Sequence, residues 1–173
     1  MNLSGLDSYD DNTPTESLEY YWELTVKPDG STATPFFTPD LPGQYTTQLI
    51  VNDGFEDSEP AEVVVSVITA QDHAENRINE ALNIVRNLPP ASVTTKGNQT
   101  ALCNFLIQAI AALQAGDIDE TINKLNKSLN RTDGCILRDG PDENGPGRDW
   151  VIDCDAQEQI YQMLNDALDV ISP

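Results

Sequence analysis

Residues 20–31, YYWELTVKPDGS, and residues 36–67, FFTPDLPGQYTTQLIVNDGFEDSEPAEVVVSV, decide the fold of the first part of the chain. Apolar side chains recur at every second residue in Leu49-Val51 and in Val63-Val65-Val67, the period of a strand with one buried face. The two strands flank a loop from Asn52 to Pro60. Asn52-Asp53-Gly54 supplies residues that tolerate a turn, and Glu56-Asp57-Ser58-Glu59 lengthens the connection beyond a two-residue hairpin. Pro42-Gly43 marks a further turn, entering a strand that carries Tyr45. Trp22 reads as a packing aromatic of the same core, not as a sugar platform, because a buried ring cannot stack on a ligand.

Four motifs sharpen this reading: Tyr20-x-Trp22-x-Leu24, Pro28-x-Gly30-Ser31, Phe37-Thr-Pro-Asp-x-Pro-Gly-x-Tyr45 and Val51-Asn-Asp-Gly54. Together they resemble the polycystic kidney disease (PKD) domain in the version common in secreted bacterial and archaeal multidomain proteins. The resemblance covers roughly the first 68 residues. It implies an immunoglobulin-like antiparallel β-sandwich that holds or binds and does not catalyse, with Tyr45 reaching back to the backbone as in a tyrosine corner. In such domains a strand precedes the segment that here reads Asn2 to Ser8, so the first strand is expected to be missing. Either the chain is cut from a longer protein, or the open edge near Asn2–Ser8 receives a strand from another chain. The same resemblance aligns Asp7, Asp10, Asp11 and Asn12 with an acidic turn that binds calcium in some PKD domains. This chain reads Asp10-Asp11-Asn12-Thr13-Pro14 there, where the family has D-P-D-G, so a solvated turn is the competing reading.

The apolar period changes from two to about 3.6 near Thr69, which divides the chain into a domain at 1–69 and a second at 70–173. Net charge is −20, from 29 acidic and 9 basic residues. Residues 1–70 carry 13 acids against Lys27 alone, or −12, which leaves −8 for the remainder. Such a chain repels nucleic acid and anionic membranes, and the sequence has no apolar run of membrane-spanning length.

The second domain reads as a four-helix bundle. Thr69 with Asp72 resembles a capping pair, and Ala74, Ile78, Ala81, Leu82, Val85 and Leu88 form an apolar stripe ended by Pro89-Pro90. A second helix from Asn98 to Ala115 carries Leu102, Phe105, Leu106, Ala109, Ile110 and Leu113. A third follows Asp117, with Ile118, Ile122, Leu125 and Leu129 on one seam. The last is capped by Asp153 or Asp155 and turns Ile160, Leu164, Ala167, Leu168 and Ile171 inward.

Between the last two helices, Thr132-Asp-Gly-Cys135, Pro141-Asp142 and Asp149-Trp-Val-Ile-Asp-Cys154 are similar to a segment of the helical C-terminal regions of secreted prokaryotic proteins. Cys135 and Cys154 bracket a Gly/Pro-rich loop, and a disulfide between them would contribute about 3 kcal/mol and point to an oxidising, extracellular location. Cys103 is then the odd cysteine, read as a small buried hydrophobe, with a reactive free thiol or an intermolecular bridge as the alternatives. The loop's Asp139, Asp142, Asn144, Asp149 and Asp153 are hard oxygen donors of the kind calcium takes, although the spacing is not an EF-hand: Pro146 stands at the fifth position and Asp153 where a bidentate Glu belongs.

No catalytic constellation emerges. His73 is the only histidine, no glycine pattern of a nucleophile elbow surrounds a serine, and Gly140, Gly145 and Gly147 lack the Lys-Ser/Thr of a phosphate-binding loop. The sequence therefore points to a non-enzymatic extracellular or cell-surface module for adhesion or protein–protein contact. Protein partners or self-assembly are expected, and neither nucleic acid nor membrane insertion. Two alternatives stand beside it: a subunit of an extracellular filament assembled by strand donation, and a calcium-dependent or carbohydrate-binding module with Ca2+ at the acidic turns and Trp150 and Tyr161 as a glycan platform.

Overall fold

The computed structural model describes residues 2–24, 32–36, 38–143 and 148–172. The chain is α+β and falls into two compact units, Met1–Ile68 and Thr69–Pro173.

The first unit is built on a three-stranded antiparallel sheet in the order β1-β2-β3: β1 is Glu19–Leu24, β2 Gly43–Asn52 and β3 Ala61–Val67. Register follows the alternation. Trp22 lies opposite Leu49, Tyr45 opposite Val65 and Thr47 opposite Val63. Tyr20, Trp22, Tyr45, Leu49, Val65 and Val67 therefore share one face, and Tyr21, Gln48, Glu62 and Val64 the other, since successive side chains point to opposite sides.

Over the apolar face runs the segment that begins at Asn2. Leu3 N donates to Pro35 O at 3.1 Å and Gly5 N to Ala33 O at 2.6 Å, with Asn2 bridged to Phe36. Leu3 buries itself against Trp22, Tyr45, Val65 and Val67. Leu18, Tyr20 and Leu49 form an adjoining cluster, and Trp22 packs on both. Gly5 is needed here because a Cβ would come within 3.0–3.2 Å of the Leu49 and Tyr20 side chains. Asn2–Gly5 is thus itself paired along one side, and among the described residues the outer edges of β1 and β3 pair with no further strand.

Four long helices make up most of the second unit: α1 Ala70–Asn87, α2 Lys96–Gln114, α3 Ile118–Leu129 and α5 Cys154–Ile171. Their starts follow from local chemistry. Thr69 and Asp72 form a reciprocal capping box, Thr95 and Asp117 cap α2 and α3, and Asp153 caps α5. Helix α1 packs on α2 and α5, α2 on α3, and α3 on α5, around one core that includes Ile78, Val85, Leu102, Leu106, Leu125, Ile160 and Leu164. Helix α2 begins before the Asn98 expected from sequence, because Thr95 accepts from the Asn98 backbone N–H. The segment read as loop holds a short helix, α4, Gly134–Arg138.

Candidate functional site

A cavity of about 360 Å³ opens on the apolar face of the sheet. Leu18, Leu49 and Val51 form its floor, with Ala61 of β3 at one side. Its walls come from two acidic stretches far apart in sequence: Asp7, Ser8, Tyr9 and Asp10 on one, and Asp53, Glu56, Asp57 and Ser58 on the other. Five carboxylates line it, and among the described residues no Lys, Arg or His does.

Both walls are held by side-chain to backbone bonds. Asp10 Oδ1 accepts from the backbone N–H of Asn12 (2.9 Å) and of Thr13 (2.7 Å). In the β2–β3 loop, Ser58 and Val51 exchange hydrogen bonds, Asn52 Nδ2 donates to Asp57 Oδ1 at 2.7 Å, and Asp53 Oδ1 accepts from the N–H groups of Phe55 and Glu56. Those two backbone donors, that of Glu56 first, hold the Asp53 carboxyl below its ordinary range. Of the expected N-terminal calcium residues, Asp7 and Asp10 reach the cavity. Asp11 instead accepts from Asn12 Nδ2 at 2.8 Å on the exposed surface. Asp53, Glu56 and Asp57, read from sequence only as a turn, join Asp7 and Asp10 through tertiary folding; the acid-rich spacing of the turn was the available signal.

Beyond Ala61, which lines the cavity, β3 carries two exposed valines. Val63, on the apolar face, is 50% exposed, and Val64, on the other, 52%. Among the described residues no backbone group pairs with the outer edge of β3.

In the second unit, Cys135 and Cys154 are joined by a disulfide with Cα atoms 5.4 Å apart. Closing a segment of this length contributes about 3 kcal/mol in the chain-entropy view. Cys103 is a free thiol, half-buried beside the core, and burial pushes its pKa up. Three of the carboxylates expected as calcium ligands, Asp142, Asp149 and Asp153, make hydrogen bonds or ion pairs within the protein. Asp153 Oδ1 caps α5 at Ala156 N and its Oδ2 accepts from Ser92 Oγ. Asp142 pairs with Arg138, and its N–H donates to the buried Asp149. Asp139 ends α4 in a left-handed conformation. Asn144 lies outside the described residues, as do Pro28-Asp29-Gly30-Ser31 and Phe37 of the sequence motifs. Among the described residues no three His, Cys, Asp or Glu side chains form a group able to hold a metal ion. Trp150, expected as a glycan platform, is half-buried, stacked on Phe105 at 5.8 Å, with the Arg131 guanidinium 4.7 Å from its ring centre.

No family model, curated protein or solved structure matches the chain.

Proposed function

We propose that this chain is a non-catalytic extracellular module that works by binding another protein. In this reading the first unit is an immunoglobulin-like sandwich of the PKD type, and the second a disulfide-clipped four-helix bundle. One observation carries it: a sheet with a half-exposed apolar strip and, among the described residues, an unpaired edge at β3, a combination that templates pairing with a further strand. The Tyr45 hydroxyl, which donates to Leu41 O at 2.6 Å and accepts from Leu41 N at 3.1 Å, supports the sandwich reading, since a tyrosine corner makes the same reach. The Cys135–Cys154 bridge supports an oxidising compartment. No helix among the described residues is long and apolar enough to cross a membrane. Assay of the purified chain against glycoside, ester and peptide substrates tests the non-catalytic part: the expected result is no turnover, and turnover removed by a single carboxylate substitution would overturn it.

A second reading, calcium-dependent binding, draws on Asp7, Asp10, Asp53, Glu56 and Asp57 lining one cavity, where a cation would have to draw them closer, since among the described residues no three stand together as a metal-holding group. In that case millimolar calcium raises the melting temperature of the first unit, and Asp10→Asn abolishes the rise; an unchanged melting temperature removes this reading.

A further inference from the structure

We propose that β3 accepts an extended segment of a different protein, one with apolar side chains at alternate positions and lysine or arginine at the end that lies beside Ala61. This deepens the binding role proposed above and rests on it.

Three features specify the occupant. The first is backbone. Strand β3 is seven residues long, contains neither Pro nor Lys, and presents its outer edge without a partner among the described residues. Natural edge strands are usually blunted by Lys, Pro or bulges, and one without them invites β-augmentation. The second is side-chain periodicity. Ala61, Val63, Val65 and Val67 lie on the face that also carries Leu49 and Tyr45. Leu3 covers Val65 and Val67 in part, whereas Val63 stands 50% exposed and Ala61 opens onto the cavity. A strand added beside β3 places every second side chain on this strip, so alternating apolar residues suit it.

The third is charge. The loop leading into β3 and its first turn of strand carry Asp53, Glu56, Asp57, Glu59 and Glu62 with no basic residue between them. Asp7 and Asp10 face the same cavity from the other wall. This negative cluster at the Ala61 end of β3 favours a cationic end on the incoming segment there and speeds its encounter. It also argues against a second copy of this chain, which would bring its own −20 to the same edge.

The test uses the full oxidised chain and fluorescence anisotropy with a labelled synthetic peptide of alternating Val and Thr, flanked by two lysines at each end. Two versions carry N-methyl groups on alternate backbone nitrogens, one version for each edge of the peptide, and a fourth peptide has glutamates for lysines. We expect micromolar binding of the parent peptide. One N-methylated version should weaken at least about tenfold while the other is unaffected, because only one edge of an added strand donates to β3. The glutamate version should fail, and Val63→Lys, at a site exposed enough to keep the fold, should weaken the parent about tenfold. Equal binding of both N-methylated versions would overturn the proposal, leaving acid attraction without strand pairing. So would no binding of the parent, or a concentration-dependent dimer that excludes it, which would make a second copy the occupant. Failure of the peptide with no turnover by the chain leaves the non-catalytic reading standing; turnover removes that reading whatever the peptide does.

Discussion

Gln157 Nε2 donates to Asp149 Oδ2 at 3.1 Å, with Gln157 at 0% and Asp149 at 1% exposure. The same glutamine donates to Val151 O at 2.6 Å and accepts from Cys135 N at 3.0 Å, and the same carboxylate accepts from the N–H groups of Asp142 and Asp133. One buried pair thus holds the start of α4, the loop after it and the approach to α5, on the inside of the segment that the Cys135–Cys154 bridge clips from outside.

Asp149→Ala removes one of the two acceptors of the buried Gln157 amide and the side-chain acceptor of the Asp142 and Asp133 N–H groups. The expected loss is about 2–4 kcal/mol from the helical unit, since an orphaned buried donor costs its full desolvation penalty. Chemical denaturation followed by far-UV circular dichroism measures it, and a loss below about 1 kcal/mol would mean that water replaces the carboxylate.

Gly134 is fixed by the same carboxylate. A Cβ there would meet Asp149 Oδ2, the Asp142 backbone N at 2.5 Å and Gly140 O at 2.9 Å. Gly134→Ala must move the backbone, and a loss of about 2 kcal/mol or more is expected, whereas Gly140→Ala, with open space around its position, should change stability by less than about 0.5 kcal/mol. Paired melts of the two variants give the comparison directly.

Asp133 has its pKa raised, first by burial and then by the neighbouring Asp149 charge. Its folded pKa lies above its unfolded one, so the folded state binds the proton more tightly and this group's contribution to stability falls as pH rises through the interval between the two. Asp133→Asn should therefore stabilise the helical unit near neutral pH, by no more than about 0.5 kcal/mol given solvent screening, and the advantage should disappear once pH drops below the unfolded carboxyl range. A gain that grows toward low pH would contradict the sign. The side chain makes no capping bond that the amide would lose.

Tyr45→Phe removes the hydroxyl that clamps the backbone of Leu41 from both its N–H and its C=O. About 1 kcal/mol should be lost from the sheet unit alone, read as faster amide exchange in β2 with the helices unaffected.

Much of this was legible in the sequence because the signals are local. The alternation in residues 43–52 and 61–67 sets both strands, and Thr69, Asp117 and Asp153 announce helix starts by short-range hydrogen bonds. Helix α4 was not legible: five residues carry no readable period, and its place is set by the disulfide and by Gln157, which lie well down the chain. Nor was the pairing of Leu3 and Gly5 with Pro35 and Ala33, since Asn2–Gly5 has no strand alternation and takes its shape from the partner it meets. The acidic cavity was half legible. Asp7 and Asp10 stood out as an acidic cluster, but their meeting with Asp53, Glu56 and Asp57 depends on the sheet's register. Gln157 did leave a trace, a polar residue on the same stripe as Ile160 and Leu164.

The open edge of β3 is the claim on which the functional account turns, and residue-resolved hydrogen exchange of the full chain without any partner tests it most directly. The account predicts that alternate amides of Ala61–Val67, those facing away from β2, exchange within the rapid range of unprotected backbone while their neighbours, bonded to β2, are protected. Slow exchange at every amide of the strand would contradict it, because the edge would then already be covered.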